Sequence, residues 1–268
     1  MISTGMPPRR TSSRTLSAQC CVVGGGPAGM MLGLLLARAG IDTVVLEKHA
    51  DFLRDFRGDT VHPSTLEVMD ELGLIEGFLK RPHQQLRRLE GQFGDKAIRL
   101  ADFSRVHLKY PFIAFMPQWD FLDFLADSAR RYPSFRLMMQ TEATDLLRSG
   151  EAVTGVVARD ADGPLEIKAA LTVACDGRHS VMRARAGLAI EDIGAPMDVL
   201  WFRVRKARDS EPVLARIRGG RMMVTLDRGD YWQCAFVIAK GQIDRIRAEG
   251  LDAFRRAIAE VAPMIAPH

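Results

Sequence analysis

Apolar positions come in short unbroken runs near the start of the chain and in alternating rows towards its end. Residues 20–23 form an unbroken run rich in strand formers that breaks at Gly24, Gly25 and Gly26. From Pro27 a helical segment runs to Ala39, where Gly40 stops it, and residues 43–46 make a second buried strand ending at Glu47. Strand, tight turn, helix and strand in about 30 residues is the length of a βαβ crossover, so the sheet here is predicted parallel.

Further along, Pro63, then Ser64 three residues before Glu67 as a capping box, and an apolar stripe of Leu66, Met69 and Leu72 predict a helix that Gly73 ends. Residues 86–93, 97–103 and 112–116 read as three short strands, an antiparallel insertion in an α/β frame. A helix follows from Gln118 to Arg131, with Asp120 as its cap and Tyr132-Pro133 as its stop. Strands are then predicted at 135–139, 143–148, 153–159, 165–169 and 171–174. In 199–204 alternation sets Leu200, Phe202 and Val204 opposite Trp201 and Arg203; in 231–239 it sets Trp232, Cys234, Phe236 and Ile238 opposite Tyr231 and Gln233. Alternation does not say which face meets a ligand, and core packing is the expectation for each aromatic. Leu251, Phe254, Ile258 and Val261 give a last helix ending near Pro263.

Composition narrows the class without changing this outline. With 268 residues, 47% hydrophobic and 26% charged, the chain has the make-up of an ordinary globular protein of one large or two modest domains. The net charge of +4 owes most to Arg9, Arg10 and Arg14, in a stretch with no acid before Asp42. The remaining body is near neutral and offers no footprint for nucleic acid. Residues 1–17 lack the apolar region of a secretory signal and read as a floppy terminus. The longest nearly apolar run, 28–37, is about half of a bilayer span, so no transmembrane segment is predicted. Cys20, Cys21, Cys175 and Cys234 form neither a disulfide framework nor a Cys-x-x-Cys metal pair. That usage points to a reducing, cytoplasmic setting and to no metal site.

The chemistry sits in the first turn. Gly24, Gly26 and Gly29 make G-x-G-x-x-G: the first glycine permits the turn, the second lets backbone approach a pyrophosphate, the third lets helix pack on strand. A pyrophosphate there would meet the free N–H groups and positive end of the helix. Glu47 lies 18 residues past the last glycine, where a carboxylate can accept ribose hydroxyls. Pro27 and Ala28 within the fingerprint, and Lys48 beside the acid, join the candidate cofactor-binding set. Residues 52–62 mix charge and aromatics without period and read as a functional loop. The plainer alternative is solvated charge for Arg54 and Arg57, and a packing role at the helix start for His62. Asp176-Gly177 after a strand is, taken alone, a common turn.

Taken together, the fingerprint with Glu47, the Arg57 loop ten residues after it, Gln118 before a helix, and D-G-x-x-S-x-x-R from Asp176 to Arg183 resemble the FAD-dependent aromatic hydroxylases. These are single-component flavoprotein monooxygenases of the para-hydroxybenzoate hydroxylase kind. The resemblance covers residues 19–190 well and continues weakly to the end. It implies an α/β fold: a Rossmann-like FAD-binding domain with parallel sheet and β-meander, plus an inserted antiparallel-sheet substrate domain. On that division 1–18 is a disordered tail, 19–85 and 117–190 the FAD-binding domain, and 86–116 and 191–268 the substrate domain.

The resemblance also implies that Glu47 binds the adenosine ribose, that Arg57 and Gln118 line the flavin, and that Asp176 and Gly177 serve both FAD and NAD(P)H. The implied activity is NAD(P)H-dependent hydroxylation of an aromatic or similar small molecule through a flavin hydroperoxide. The cofactor carries the hard chemistry, so no catalytic acid or base is assigned. A further family motif, a Gly-Asp leading into a Pro- and Gly-rich helix start that binds the riboflavin part, has no counterpart here. The expectation is therefore a truncated form that keeps the ADP half of the site and holds isoalloxazine poorly. The alternatives are a related FAD-dependent reductase, a halogenase, whose W-x-W-x-I-P motif is absent, and a non-catalytic nucleotide-binding fragment. Substrate, oligomeric state and the choice between NADH and NADPH are not readable.

Overall fold

The structure is a computed structural model that describes residues 14–53, 59–206 and 215–265. Arg57, with the rest of 54–58, lies outside the described residues, as does most of the tail. Contacts divide the chain into two units, the described parts of Met1–Arg54 with Gln118–Glu191, and of Asp55–Pro117 with Asp192–His268. They group residues 59–85 with the second unit, whereas the division implied by the resemblance places them in the FAD-binding domain.

In chain order the elements are β1 (Arg14–Val23), α1 (Pro27–Arg38), β2 (Thr43–Leu46), β3 (Thr60–Val61), α2 (Pro63–Glu71), α3 (Ile75–Leu79), β4 (Gln84–Leu86), β5 (Arg88–Phe93), β6 (Lys96–Asp102) and β7 (Ile113–Phe115). They continue with α4 (Gln118–Ala129), β8 (Phe135–Met138), β9 (Glu142–Ser149), β10 (Ala152–Asp160), β11 (Gly163–Ala174) and α5 (Val181–Arg185). The last are β12 (Met197–Arg205), β13 (Ala215–Arg218), β14 (Arg221–Asp227), β15 (Tyr231–Ala239) and α6 (Ile243–Val261).

The first unit is built on a six-stranded sheet in the order β8, β2, β1, β11, β10, β9. β8, β2, β1 and β11 are parallel, while β9, β10 and β11 form an antiparallel meander. Cys21, Val23, Val44, Leu46, Val156, Ile167 and Met182 fill one face. On the other, α1 comes so near that a Cβ on Gly33 would stand 2.5 Å from Val45 and 2.9 Å from Phe135. The sequence puts residues 14–18 in a loose tail, but they belong to β1. Leu16 and Ala18 pack on the core, and Arg14 pairs with Asp160 and Asp162 at the β10–β11 hairpin. The two strands predicted at 165–169 and 171–174 are one, β11, because β1 pairs alongside it from Arg14 to Val23.

The second unit holds a six-stranded sheet, β12, β15, β14, β13, β5, β6, and a three-stranded one, β3, β7, β4. α6 covers one face of the larger sheet through Met223, Trp232, Cys234, Phe236, Ile238, Ile258 and Val261. Phe254 meets Phe202 and Phe236 edge to face at 5.4 and 5.6 Å. Alternation in β12 and β15 therefore resolves: Leu200, Phe202 and Val204 face α6, and Trp201 lies on the other side. Three helix details differ from expectation. Asp120, expected as the cap of α4, lies inside its first turn, because the helix already starts at Gln118. Pro63, with its fixed φ, takes the first position of α2 and makes His62 the N-cap, so Ser64 sits inside the helix and does not cap it. The last helix, expected from Leu251, starts at Ile243 and breaks at Gly250, φ 85°, and Leu251, counted in its apolar stripe, is exposed. Among the described residues no helix is long and apolar enough to cross a membrane.

Candidate cofactor site

The site forms where β1 and β11 end side by side. The Cys175 N–H donates to the Val23 carbonyl at 2.7 Å, and the Gly24 N–H donates to the Leu46 carbonyl at 2.8 Å. These bonds press two turns together. A Cβ on Gly24, whose φ is +109°, would stand 2.3 Å from the Cys175 carbonyl oxygen, and one on Gly29 would stand 1.9 Å from the Gly24 carbonyl oxygen. Neither position admits another residue without moving backbone. A Cβ on Gly25 would stand 2.8 Å from the Cβ of Glu47. A Cβ on Gly26 would have nothing within 4 Å among the described residues, so the turn is closed on three sides and open on one.

That open side is the N-terminus of α1. Gly26 is the N-cap, without a side-chain cap, Pro27 is the first helical residue, and no acid stands in the first turn. The N–H groups of Gly26, Ala28 and Gly29 have no intrahelical partner by the rule of helix ends, and the macrodipole adds partial positive charge beside them. Pro27 and Ala28 are exposed there, and Gly29 is buried beneath. An anion would find donors and room.

Glu47 is 8% exposed. Its carboxylate accepts from the Gly25 N–H at 3.1 Å and from the His49 N–H at 3.0 Å. Its backbone is bonded to Met138 and Thr141 at the end of β8. The acid is thus locked to the glycine turn from the side. Lys48, next in the chain, is exposed.

Asp176 follows Cys175 out of β11. Its Oδ2 accepts from the Met182 N–H at 3.1 Å, whereas its Oδ1 is buried and has no hydrogen-bond partner among the described residues. A buried carboxylate oxygen without a donor is costly, and an outside donor would relieve it. Gly177, φ +82°, turns the chain with open space around it. Ser180 then caps α5 by accepting from the Arg183 N–H, and the Arg183 guanidinium donates to the Arg178 carbonyl, so the whole D-G-x-x-S-x-x-R stretch is knitted to itself. The Cys175 thiol is pushed up by burial and then by Asp176, which keeps it protonated and unreactive.

The structure therefore brings together Gly24, Gly26, Pro27, Ala28, Gly29, Glu47 and Asp176, with Gly177 at the edge. Gln118 opens α4, a helix packed on α1. Two members escape a reading by motif. Cys175 supplies the carbonyl that shapes Gly24, and Gly25 makes the contact with Glu47; the only sequence signal for the latter is that three glycines run consecutively.

These residues fit FAD. The open face at Gly26, the uncapped helix end, the carboxylate of Glu47 and the unpartnered Asp176 Oδ1 match a diphosphate flanked by hydroxyl donors. Residues 17–249 match the family model described as FAD binding domain. The 6-methylpretetramide 4-monooxygenase of Streptomyces rimosus is 31% identical over 69% of this chain and 44% of its own length. The rifampicin monooxygenase of Streptomyces venezuelae is 27% identical over 88% of this chain and 49% of its own. Among solved structures, the OxyS anhydrotetracycline hydroxylase from Streptomyces rimosus superposes with a TM-score of 0.72 at 26% identity, over 92% of this chain and 49% of that one. The chain spans less than half the length of each of these relatives.

Proposed function

Because the chain belongs to the FAD binding domain family, matched over residues 17–249, we propose that it holds FAD and forms part of an NAD(P)H-using monooxygenase. Its substrate would be an aromatic or similar small organic molecule. Overall, NAD(P)H, a proton, dioxygen and a C–H bond would give NAD(P)+, water and a hydroxyl group. Bound FAD would supply the electron transfer and oxygen chemistry of that reaction; the protein residues hold, orient and shield.

Gly26, Ala28 and Gly29 offer their N–H groups to the pyrophosphate, while Pro27 leaves that edge free of a fourth donor and of side-chain bulk. Glu47 accepts from the adenosine ribose, with Lys48 beside it at the solvent edge. Asp176 Oδ1 accepts from a hydroxyl of FAD, and Gly177 lets the chain pass close to FAD and NAD(P)H. Arg57 and Gln118 line the flavin. The observation that carries this reading is the pairing of the open Gly26 face with the partnerless oxygen of Asp176.

A titration of the purified chain with FAD and with ADP tests it, followed by an assay of NAD(P)H oxidation with and without aromatic compounds. Saturable binding of both ligands, competing with each other, is expected. Nucleotide binding without any substrate-stimulated oxidation would favour the nucleotide-binding fragment.

A further inference from the structure

On the side of its larger sheet that α6 covers, the second unit keeps a cavity of about 280 Å³, lined by its own residues alone. The cavity spans the break of α6 at Gly250 and takes lining from both halves of the helix. Its floor is Phe236 and Ile238 of β15, both buried. Ile246, before the break, and Phe254, after it, pack on the core but stay half-buried. Ala253 and Ala257 bring only methyl groups to the same space, so the volume that longer side chains would take is left open.

The mouth of the cavity is charged. Arg221, Arg245 and Glu249 line it and sum to +1, which suits one negative charge. Arg245 Nε donates to Glu249 Oε1 at 2.8 Å along the helix, with the two side chains 73% and 48% exposed. Arg221 pairs with Glu260 in a similarly open position. Exposed pairs of this kind hold their partners weakly, and a guanidinium carries five N–H donors, so either arginine can accept a second carboxylate at small cost.

A carbon-lined floor with a few charged groups at the mouth is the make-up of a small-molecule site. Such a floor offers water few partners, and replacing loosely held water by an apolar group is favourable. An apolar cavity of about 150 Å³ holds one benzene, so this one has room for a ring and a short chain. Phe236 and Phe254 already meet edge to face at 5.6 Å, an arrangement that a third ring can join. We propose that the cavity binds a small aromatic monocarboxylate, with its ring against Phe236 and Phe254 and its carboxylate at the arginines of the mouth. This site uses no residue of the glycine turn and does not depend on the FAD reading.

The test titrates the whole chain, labelled at its alanine methyl groups, with 3-phenylpropionate and with its neutral twin 3-phenylpropanol, with and without ADP. Saturable shifts at the Ala253 and Ala257 methyl signals are expected, with the acid bound about fivefold more tightly than the alcohol and ADP without effect. Arg221→Gln combined with Arg245→Gln should abolish that preference and leave the alcohol within about twofold of wild type. Ala257→Leu fills the volume and should weaken both ligands more than about tenfold; Ala253→Leu, at a half-buried position, serves if that variant does not fold. Shifts confined to alanines outside the cavity overturn the proposal. So do equal binding of acid and alcohol by wild type, and wild-type binding by a folded variant with the cavity filled.

Discussion

The glycine turn of the first unit and the polar ring of Asp59, Arg228 and Gln233 in the second each fix a short stretch of chain, by opposite means. In the turn, backbone is set against backbone: Gly29 under the Gly24 carbonyl, Gly24 against Cys175. In the ring, side chains are joined through oxygen and nitrogen atoms brought from residues 59, 228 and 233. A backbone constraint tolerates one residue type at each point and so leaves a spacing in the sequence. A side-chain constraint made from distant residues leaves none.

The sharpest break of that contrast is Gly29→Ala. The added methyl would meet a carbonyl oxygen at 1.9 Å, so the turn and helix must separate. A loss of about 3 kcal/mol in unfolding free energy is expected, together with loss of ADP binding. Denaturant unfolding at wild-type midpoint would show that the turn is softer than its geometry implies.

Gly26→Val should separate two effects that Gly29→Ala confounds. A Cβ at this position has nothing within 4 Å among the described residues, and the backbone is extended, so unfolding should shift by less than about 1 kcal/mol. Branched carbon in the anion's place should weaken ADP and FAD by several kcal/mol, more than a hundredfold. If calorimetry finds both ligands bound as in wild type, the site is misplaced.

Glu47→Ala should cost roughly 1–3 kcal/mol of nucleotide affinity by removing charge-assisted bonds to ribose. It should also destabilise the turn slightly, since the Gly25 and His49 N–H groups lose their acceptor. Unchanged affinity with lowered stability would make Glu47 a brace for the turn and nothing more.

The smallest effect belongs to Arg14, which ties the start of β1 to the β10–β11 hairpin. Its hydrogen bond holds the Asp160 carboxyl below the ordinary carboxylate value, helped by the Asp162 and Gly163 backbone. A carboxyl depressed by folding stabilises above its unfolded-state pKa, and that contribution is lost as pH falls through the lower folded value. Wild type should therefore melt slightly above Arg14→Ala at pH 7, and the gap should close towards pH 3. A gap that stays constant with pH would assign the effect to packing of the arginine stem.

How much could be read beforehand follows the same division. The βαβ unit, its glycines and Glu47 were legible because short-range rules govern them: a break in an apolar run, a Pro at a helix start, an acid at a strand end. The course of β1 back to Arg14 was not, because those residues become strand only by having β11 beside them. Neither was the part of α6 from Ile243 to Gly250, since the apolar stripe read in the sequence begins only at Leu251, past the break. Gln233 read as one polar position in an alternating strand, and nothing local marks its partner as Asp59.

The pairing of β1 with β11 also sets a timetable. Arg14 lies against Leu165 and Val23 against Ala174, so β1 is made well before one of its two neighbours and waits for it. At about 5–20 residues per second, the ribosome needs on the order of 10–30 s to deliver that neighbour. Through that interval an apolar strand stands with one edge unpaired, the state in which nascent chains are most exposed to misassociation. Slower synthesis over residues 24–163 should therefore lower soluble yield more than slowing after 174.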